Sequence, residues 1–164
     1  MYPSHAITAV DRRRLAFPLG GGSGCVSEGI VFARRSLAGW HLESAVAGTA
    51  AADAVMVAAE LLANAVDHAG GPLALDLGRH GGHLRVAVTD PSSAPPHLHE
   101  QYRPDAVNGH GLVIVDRVAE AWGCTFHDGG KTVWADLALP PAGGPDPGRA
   151  RRAALADPDP LFDN

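Results

Sequence analysis

Cysteine and aromatic residues are scarce in this chain, and it carries no strong positive charge. Its 164 residues include two cysteines and 5% aromatic residues, with a net charge of −5. Cys25 and Cys124 are far apart and lie outside any CxxC motif, so free thiols are predicted rather than a disulfide framework or a zinc site. A basic stripe is also missing, and a nucleic-acid partner is therefore not expected.

Long apolar runs and clustered metal ligands are missing as well. No apolar run approaches the ~20 residues of a membrane span, and the N-terminus has no basic-then-apolar signal pattern. We therefore expect a cytoplasmic protein without a membrane partner. His97 and His99 form a pair in a proline-rich stretch. No third ligand lies near them in sequence, which argues against a structural metal site.

Hydrophobic periodicity instead indicates one α+β domain between two tails. Residues 1–13 lack periodicity and are predicted to be flexible, and residues 140–164, rich in Pro, Ala, Gly and Asp, are predicted to be disordered. The predicted elements are strand 14–19, helix 26–38, helix 42–69, strand 73–77, strand 83–90, loop 91–108, helix 112–119, strand 123–127 and strand 132–139. This order favours a two-layer sandwich with a mixed, mainly antiparallel sheet that helices cover on one face.

Spacing and glycines give finer expectations for the first two helices. The glycine-rich stretch 20–24 lacks the Gly-Lys-Ser/Thr ending of a phosphate loop and is typical of a flexible turn into a helix. Gly48 is a candidate break in the second helix. The residues predicted to face the core from the first helix are Val26, Ile30, Val31 and Leu37.

The second predicted helix carries a polar face within an otherwise apolar segment. At about 100° per residue, Asn64 and Asp67 fall within about 40° of Glu60, and His68 within about 80°. Apolar residues cluster on the opposite side of the wheel, namely Ala58, Leu62, Ala65 and Val66.

Two interpretations of this polar face stay open. Polar residues on one face of a helix are usually its solvated side. Met56 and Val57, however, lie one turn before Glu60 on the same side, which indicates a covered cleft where polar groups need partners. In such a cleft the carbonyl oxygen of Asn64 suits Mg²⁺. Glu60, one turn away, could accept a proton from a hydroxyl or water aligned on a metal-bound phosphate.

Two later segments could complete such a site. Asp90 follows a predicted strand, where an Asp is either a turn former or an acceptor for an adenine amino group. Gly109-His110-Gly111 opens a predicted helix, where free amides attract anions. A lone Gly-x-Gly is a weak signal, and Ile114 stands where a dinucleotide fingerprint has its third glycine.

Together these segments resemble the GHKL, or Bergerat-fold, ATPase superfamily. The resemblance rests on Glu60-x-x-x-Asn64 in a helix, Asp90 at a strand end, Gly109-x-Gly111 opening a helix, and the later Gly130-Lys131-Thr132. It covers about Leu15 to Leu139. Within the superfamily the chain is most similar to the small bacterial anti-sigma-factor serine/threonine kinases and their ATP-binding regulatory relatives.

The resemblance implies ATP and Mg²⁺ as cofactors and assigns a role to each motif. Asn64 becomes the Mg²⁺ ligand, Glu60 the catalytic base and Asp90 the adenine reader, while residues 91–108 become the ATP lid. The other implied nucleotide-binding residues are His68 near the phosphates, Gly109, His110, Gly111 and Leu112 around them, and Thr132 on the adenine side.

Two functions follow from this resemblance. The first is a serine/threonine protein kinase whose partners are an anti-anti-sigma factor and a sigma factor, with a homodimer as an open alternative. The second is a non-catalytic ATP-binding or degenerate module that sequesters a protein partner. Glu60 favours the kinase. The family's Asp-x-Gly-x-Gly appears here as Asp90-Pro91-Ser92-Ser93-Ala94, and the two missing glycines favour the module.

Overall fold

Three helices and five strands form the domain. The computed structural model describes residues 11–42, 45–96 and 111–139. The elements are β1 Asp11–Ala16, α1 Gly24–Ala38, α2 Ala45–Ala69, β2 Ala74–His80, β3 His83–Asp90, α3 Gly111–Val118, β4 Ala121–His127 and β5 Gly130–Ala138. Their order is the predicted one. The predictions for residues 1–10, 97–110 and 140–164 lie outside the described residues.

The sheet has the strand order β1-β2-β3-β5-β4, and all four described pairings are antiparallel. Side chains alternate between its two faces along each strand. In β3, Leu84, Val86 and Val88 are buried and belong to one hydrophobic core with the residues of the helices. The helices therefore cover one face of the sheet, which confirms the predicted two-layer sandwich.

β1 begins at Asp11 rather than at the predicted Arg14, so residues 11–13 belong to the sheet and not to a flexible tail. Arg12 and Arg14 form ion pairs with Asp76 on β2, at 2.9 and 3.1 Å. Asp11 accepts a hydrogen bond from Trp40 Nε1 at 2.6 Å. The segment lacks hydrophobic periodicity, but partners on neighbouring elements hold it in the sheet.

The buried face of α1 differs from the predicted one. Val31 is 48% exposed, so its assignment to the core was wrong. The helix is buried instead along mostly small residues, Cys25, Gly29, Ala33, Ser36 and Leu37. A Cβ at Gly29 would collide with the Leu62 side chain on α2. Small residues therefore let α1 lie close to α2. A prediction based on the spacing of large apolar residues does not detect such a face.

α2 is one continuous helix through Gly48, so the candidate break does not occur among the described residues. Its buried apolar positions follow helical spacing; among the described side chains they are Ala50, Ala54, Val57, Ala58, Leu61, Leu62 and Ala65. The segment Gly48–Ala69 has a mean hydropathy of 1.4 and would pass for a membrane span by length and composition. This corrects the expectation that no run is long enough. In this fold the segment is the central core helix, packed on α1, α3 and β3.

Gly130, at the turn between β4 and β5, lets the backbone at the end of β3 pack directly against the start of β5. Gly130 has φ of +135°, and a Cβ there would collide with the carbonyl oxygen of Asp90 and approach Pro91 Cα to 2.7 Å. We expect Gly130→Ala to lower the free energy of unfolding by about 1–3 kcal/mol or more, because it adds backbone strain to this clash.

The neighbouring Gly129 is a matched control for this prediction. A Cβ there would meet only the His127 ring, at 3.6 Å. Gly129→Ala should therefore change the free energy of unfolding by no more than about 0.5 kcal/mol. Urea denaturation measures both variants, and equal costs would contradict the tight approach at Gly130.

Candidate functional site

Chain topology brings the C-terminal half of α2 and the end of β3 to the same end of the domain. α2 finishes at Ala69, and after a short turn β2 begins at Ala74. Ala74 pairs with Thr89, and Leu73 N–H donates to Thr89 O at 2.7 Å. The C-terminal end of α2 therefore lies at the end of the sheet where β3 finishes at Asp90.

Asp90 is buried in an ion pair with Lys131, a residue to which the family resemblance assigns no role. Asp90 is 2% exposed and Lys131, its register partner at the start of β5, is 3% exposed. Lys131 Nζ lies 2.9 Å from Asp90 Oδ1. Ser92 N–H also donates to Oδ1, at 2.9 Å. The hydrogen bonds that described residues donate to this carboxylate thus both end on Oδ1.

Side chains fold the first residues after Asp90 into turns. Ser92 N–H bonds the Asp90 carboxylate, and Ala94 N–H donates to Ser92 Oγ at 3.1 Å. Among the described residues, His41 is the one non-glycine residue with positive φ. Positions 92 and 94, where the family has glycines, therefore do not adopt a conformation that requires glycine. The rest of the predicted lid, residues 97–108, lies outside the described residues.

On α2 the polar face lies at the border of the buried face. Val57 is fully buried one turn before Glu60, while Glu60 and Asn64 are half-buried and His68 and Asp67 are exposed. Met56 and Val57 were both predicted to be covered. Val57 is buried as predicted, whereas Met56 is 36% exposed. Glu60 and Asn64 are thus the partly covered members of the face. Their assigned roles, and that of His68, stay predictions.

α3 begins at Gly111 and packs against α2. Its C-terminal end is fixed by Glu120 N–H, which donates to Asp136 O at 2.8 Å. Asp136 lies about 17 Å along β5 from Lys131, at about 3.4 Å per residue. We therefore expect Gly111 to be the end of α3 nearer to Asp90. Gly109 and His110 lie outside the described residues.

The Leu112 side chain is 4% exposed and belongs to the core. It is therefore not free to contact a ligand, because it packs among apolar residues. Only the backbone N–H of Leu112, at the start of the helix, could serve the predicted phosphate contact.

The structure does not bring Thr132 to the side of the sheet where Asp90 lies. Thr132 Oγ1 is 2.9 Å from Thr89 Oγ1 and 3.2 Å from His127 Nε2. Thr89 and Thr132 are register partners, and both point away from the helices because side chains alternate along a strand. The assignment of Thr132 to the adenine side stays a prediction, but Lys131, and not Thr132, is the residue of β5 that lies beside Asp90. Strand alternation in 132–139 was the signal that could have found it.

Cys124 is a second neighbour that the motifs did not indicate. It lies on β4 opposite Val133, half-buried and with a free thiol. Burial raises the pKa of the Cys124 thiol, the nearby Lys131 charge lowers it and the Asp90 charge raises it, with a net increase. Cys124 therefore lies within the electrostatic reach of the buried pair.

The arrangement offers a buried acceptor beside a cation, a half-buried carboxylate and carboxamide one turn apart, and the start of a helix. No cluster of three or more His, Cys, Asp or Glu side chains that could hold a metal occurs within the described ranges. The family model for the histidine kinase-like ATPase domain matches residues 28–137. Among proteins of curated function, none matches this chain in sequence.

Proposed function

The chain belongs to the histidine kinase-like ATPase domain family, and we propose that within it this protein is an ATP-dependent serine/threonine kinase that regulates transcription by partner switching. Membership of the family implies ATP binding. The kinase activity, the Mg²⁺ dependence and the partners, an anti-anti-sigma factor and a sigma factor, are the proposed part.

One observation carries the proposal. Glu60 and Asn64 are half-buried, one turn apart, on the half of α2 that ends at the same end of the sheet as Asp90. A kinase of this type needs a catalytic base near the phosphates and a metal ligand next to that base. Both lie at one end of the nucleotide site, and the adenine binds at the other end. The order of these three residue types along the chain, and the half-buried position of Glu60 and Asn64, support the proposal.

The residues present fit ATP and Mg²⁺. Asp90 is an acceptor of which described residues occupy only Oδ1, and Oδ2 is the proposed acceptor for the amino group of adenine. Asn64 offers a single carbonyl oxygen. Mg²⁺ commonly takes one or two protein oxygens and fills its other positions with phosphates and water.

In the proposed reaction, ATP supplies the γ-phosphoryl group and Mg²⁺ neutralises charge on the phosphates. Glu60 accepts the proton of the serine or threonine hydroxyl of the partner protein as that oxygen bonds to phosphorus. The bond from phosphorus to the leaving oxygen breaks, and ADP departs. Asp90 fixes the adenine, and the backbone amides at the start of α3 contact the phosphates.

Incubation with γ-labelled ATP, Mg²⁺ and a small anti-anti-sigma protein from the same genome tests the proposal. Transfer of label to a serine or threonine of that protein is expected, and it should stop when EDTA removes the metal. Binding of Mg-ATP by calorimetry without transfer to any such protein would refute the kinase while leaving the ATP-binding domain in place.

A non-catalytic module is the second candidate. The observation that favours it is the turn after Asp90, in which Ser92 and Ala94 replace the glycines and Ser92 N–H already bonds the Asp90 carboxylate. Such a module would form a stable complex with its partner in the presence of ATP and transfer no phosphate. Size-exclusion chromatography with and without Mg-ATP, run beside the labelling experiment, separates the two functions.

Cys124 can report where the nucleotide binds. Because burial raises the pKa of this thiol, its thiolate is scarce at neutral pH, and its labelling rate should rise steeply as pH increases. In a Cys25→Ser protein, whose single thiol is Cys124, saturating Mg-ATP should slow labelling by a thiol-reactive dye several-fold, because adenine beside Asp90 covers this region. An unchanged rate under conditions where calorimetry detects binding would place ATP elsewhere.

A further inference from the structure

Lys131 is the only lysine in the sequence, and the fold buries it. Its side chain is 4% exposed and that of its partner Asp90 is 2% exposed. Apart from the histidines, all the other basic residues of the chain are arginines. A compact ammonium group, rather than a guanidinium fork, therefore occupies the one position that faces Asp90 from β5.

A buried ion pair is not explained by stability alone. Removing two charges from water costs several kcal/mol per ion, and an apolar pair of similar size often stabilises a fold equally well or better. Asp90 and Lys131 also lie at the end of the sheet where the site residues meet. A role in recognition accounts for both the charges and their position.

The hydrogen-bond geometry indicates what the pair could recognise. Lys131 and Ser92 both donate to Asp90 Oδ1, and no residue in the described part of the chain donates to Oδ2. An ammonium group has three hydrogens, and the contact with Asp90 uses one of those on Lys131. The pair thus combines an acceptor and a donor on two side chains that are in contact. Adenine presents the complementary pair, a 6-amino donor next to the N1 acceptor.

We propose that Lys131 is a second adenine-reading residue, which donates a hydrogen bond to N1 while Asp90 accepts one from the 6-amino group. This inference rests on the proposed binding of ATP at Asp90. In the same pose guanine would place its O6 against the Asp90 carboxylate and its N1–H against the Lys131 ammonium. Both contacts would then be mismatched, so the pair selects ATP over GTP.

Two nucleotide analogues separate the two contacts in the unaltered protein. 1-Deaza-ATP replaces N1 by a C–H group and keeps the 6-amino group, so it loses only the contact with Lys131. Purine riboside triphosphate lacks the 6-amino group and loses only the contact with Asp90. Calorimetric titration in Mg²⁺ should give each analogue an affinity about tenfold to a hundredfold below that of ATP, as expected for a hydrogen bond to a charged group.

The variant Lys131→Met completes a cycle with the analogues. If Lys131 contacts N1, the variant should bind ATP and 1-deaza-ATP equally, while purine riboside triphosphate should still bind more weakly than ATP. Circular dichroism verifies that the variant is folded. Should it fail to fold, the comparison of analogues on the unaltered protein decides by itself.

The outcomes are distinguishable. Equal affinity of the unaltered protein for ATP and 1-deaza-ATP would overturn the role of Lys131 and leave it as a counter-ion of Asp90, with ATP binding intact. Absence of ATP binding at millimolar concentration would overturn the proposed function, and the inference with it. The proposal is supported if Lys131→Met no longer distinguishes ATP from 1-deaza-ATP but still binds ATP more tightly than purine riboside triphosphate.

Discussion

Replacing Glu60 with alanine is expected to lower the rate of phosphoryl transfer by about 10²–10⁴-fold, the usual contribution of a positioned base. The affinity for Mg-ATP should change little, because the proposed contacts of Glu60 are with the hydroxyl of the partner protein and not with the nucleotide. Single-turnover transfer of label measures the rate, and calorimetry measures the affinity.

Two variants sharpen this prediction. Glu60→Gln keeps the size of the side chain but removes the base, so it should lose activity to a similar extent. Asp67→Ala removes an exposed carboxylate from the same helix and should leave the rate within about twofold, since surface changes rarely exceed about 0.5 kcal/mol. Undiminished transfer by Glu60→Ala would refute the role of Glu60, and a parallel loss of ATP affinity would indicate a structural role instead.

Breaking the buried pair from one side is expected to cost about 3–5 kcal/mol of unfolding free energy, because the remaining charge is buried without its counter-ion. Asp90→Leu and Lys131→Met should each show this cost. The double variant, in which both charges are gone, should be destabilised by far less than the sum of the two single variants. Urea denaturation of the four proteins gives the coupling between the two residues.

The ion pair between Arg12 and Asp76 provides the matched control. Arg12 is 49% exposed, and Asp76 keeps a second ion pair with Arg14. Arg12→Met should therefore cost no more than about 1 kcal/mol, as solvent-exposed pairs usually do. If the Asp90 and Lys131 variants show costs that simply add, the two charges do not depend on each other, and the buried pair would lose its place in the site.

The order of the elements and the motif on α2 were predictable because both depend on local periodicity. Strand alternation and helical spacing located every element. The position of Glu60 and Asn64 on one face of α2 followed from the rotation of about 100° per residue. The border between buried and exposed side chains then passed close to these two residues, as the position of Val57 indicates. Local patterns therefore contained most of the fold.

Features that depend on contacts distant in sequence were not predictable in this way. Arg12 and Arg14 in β1 pair with Asp76, more than sixty residues later in the chain. The close packing of α1 depends on Gly29 meeting Leu62. Lys131 acquires its importance from Asp90 across the sheet, whereas the family motif drew attention to Thr132 on the opposite face. In each case the partner, and not the residue type, determines the role.

The burial of the single lysine also limits how the folded domain can be modified. Acetylation and ubiquitin transfer require a lysine side chain that extends from the protein surface into the active site of the modifying enzyme, and Lys131 is only 3% exposed in its pair with Asp90. Enzymes that act on lysine therefore have no accessible side-chain target unless the end of β5 opens first. Acylation of Lys131 would thus record the separation of the start of β5 from the strand ends beside it.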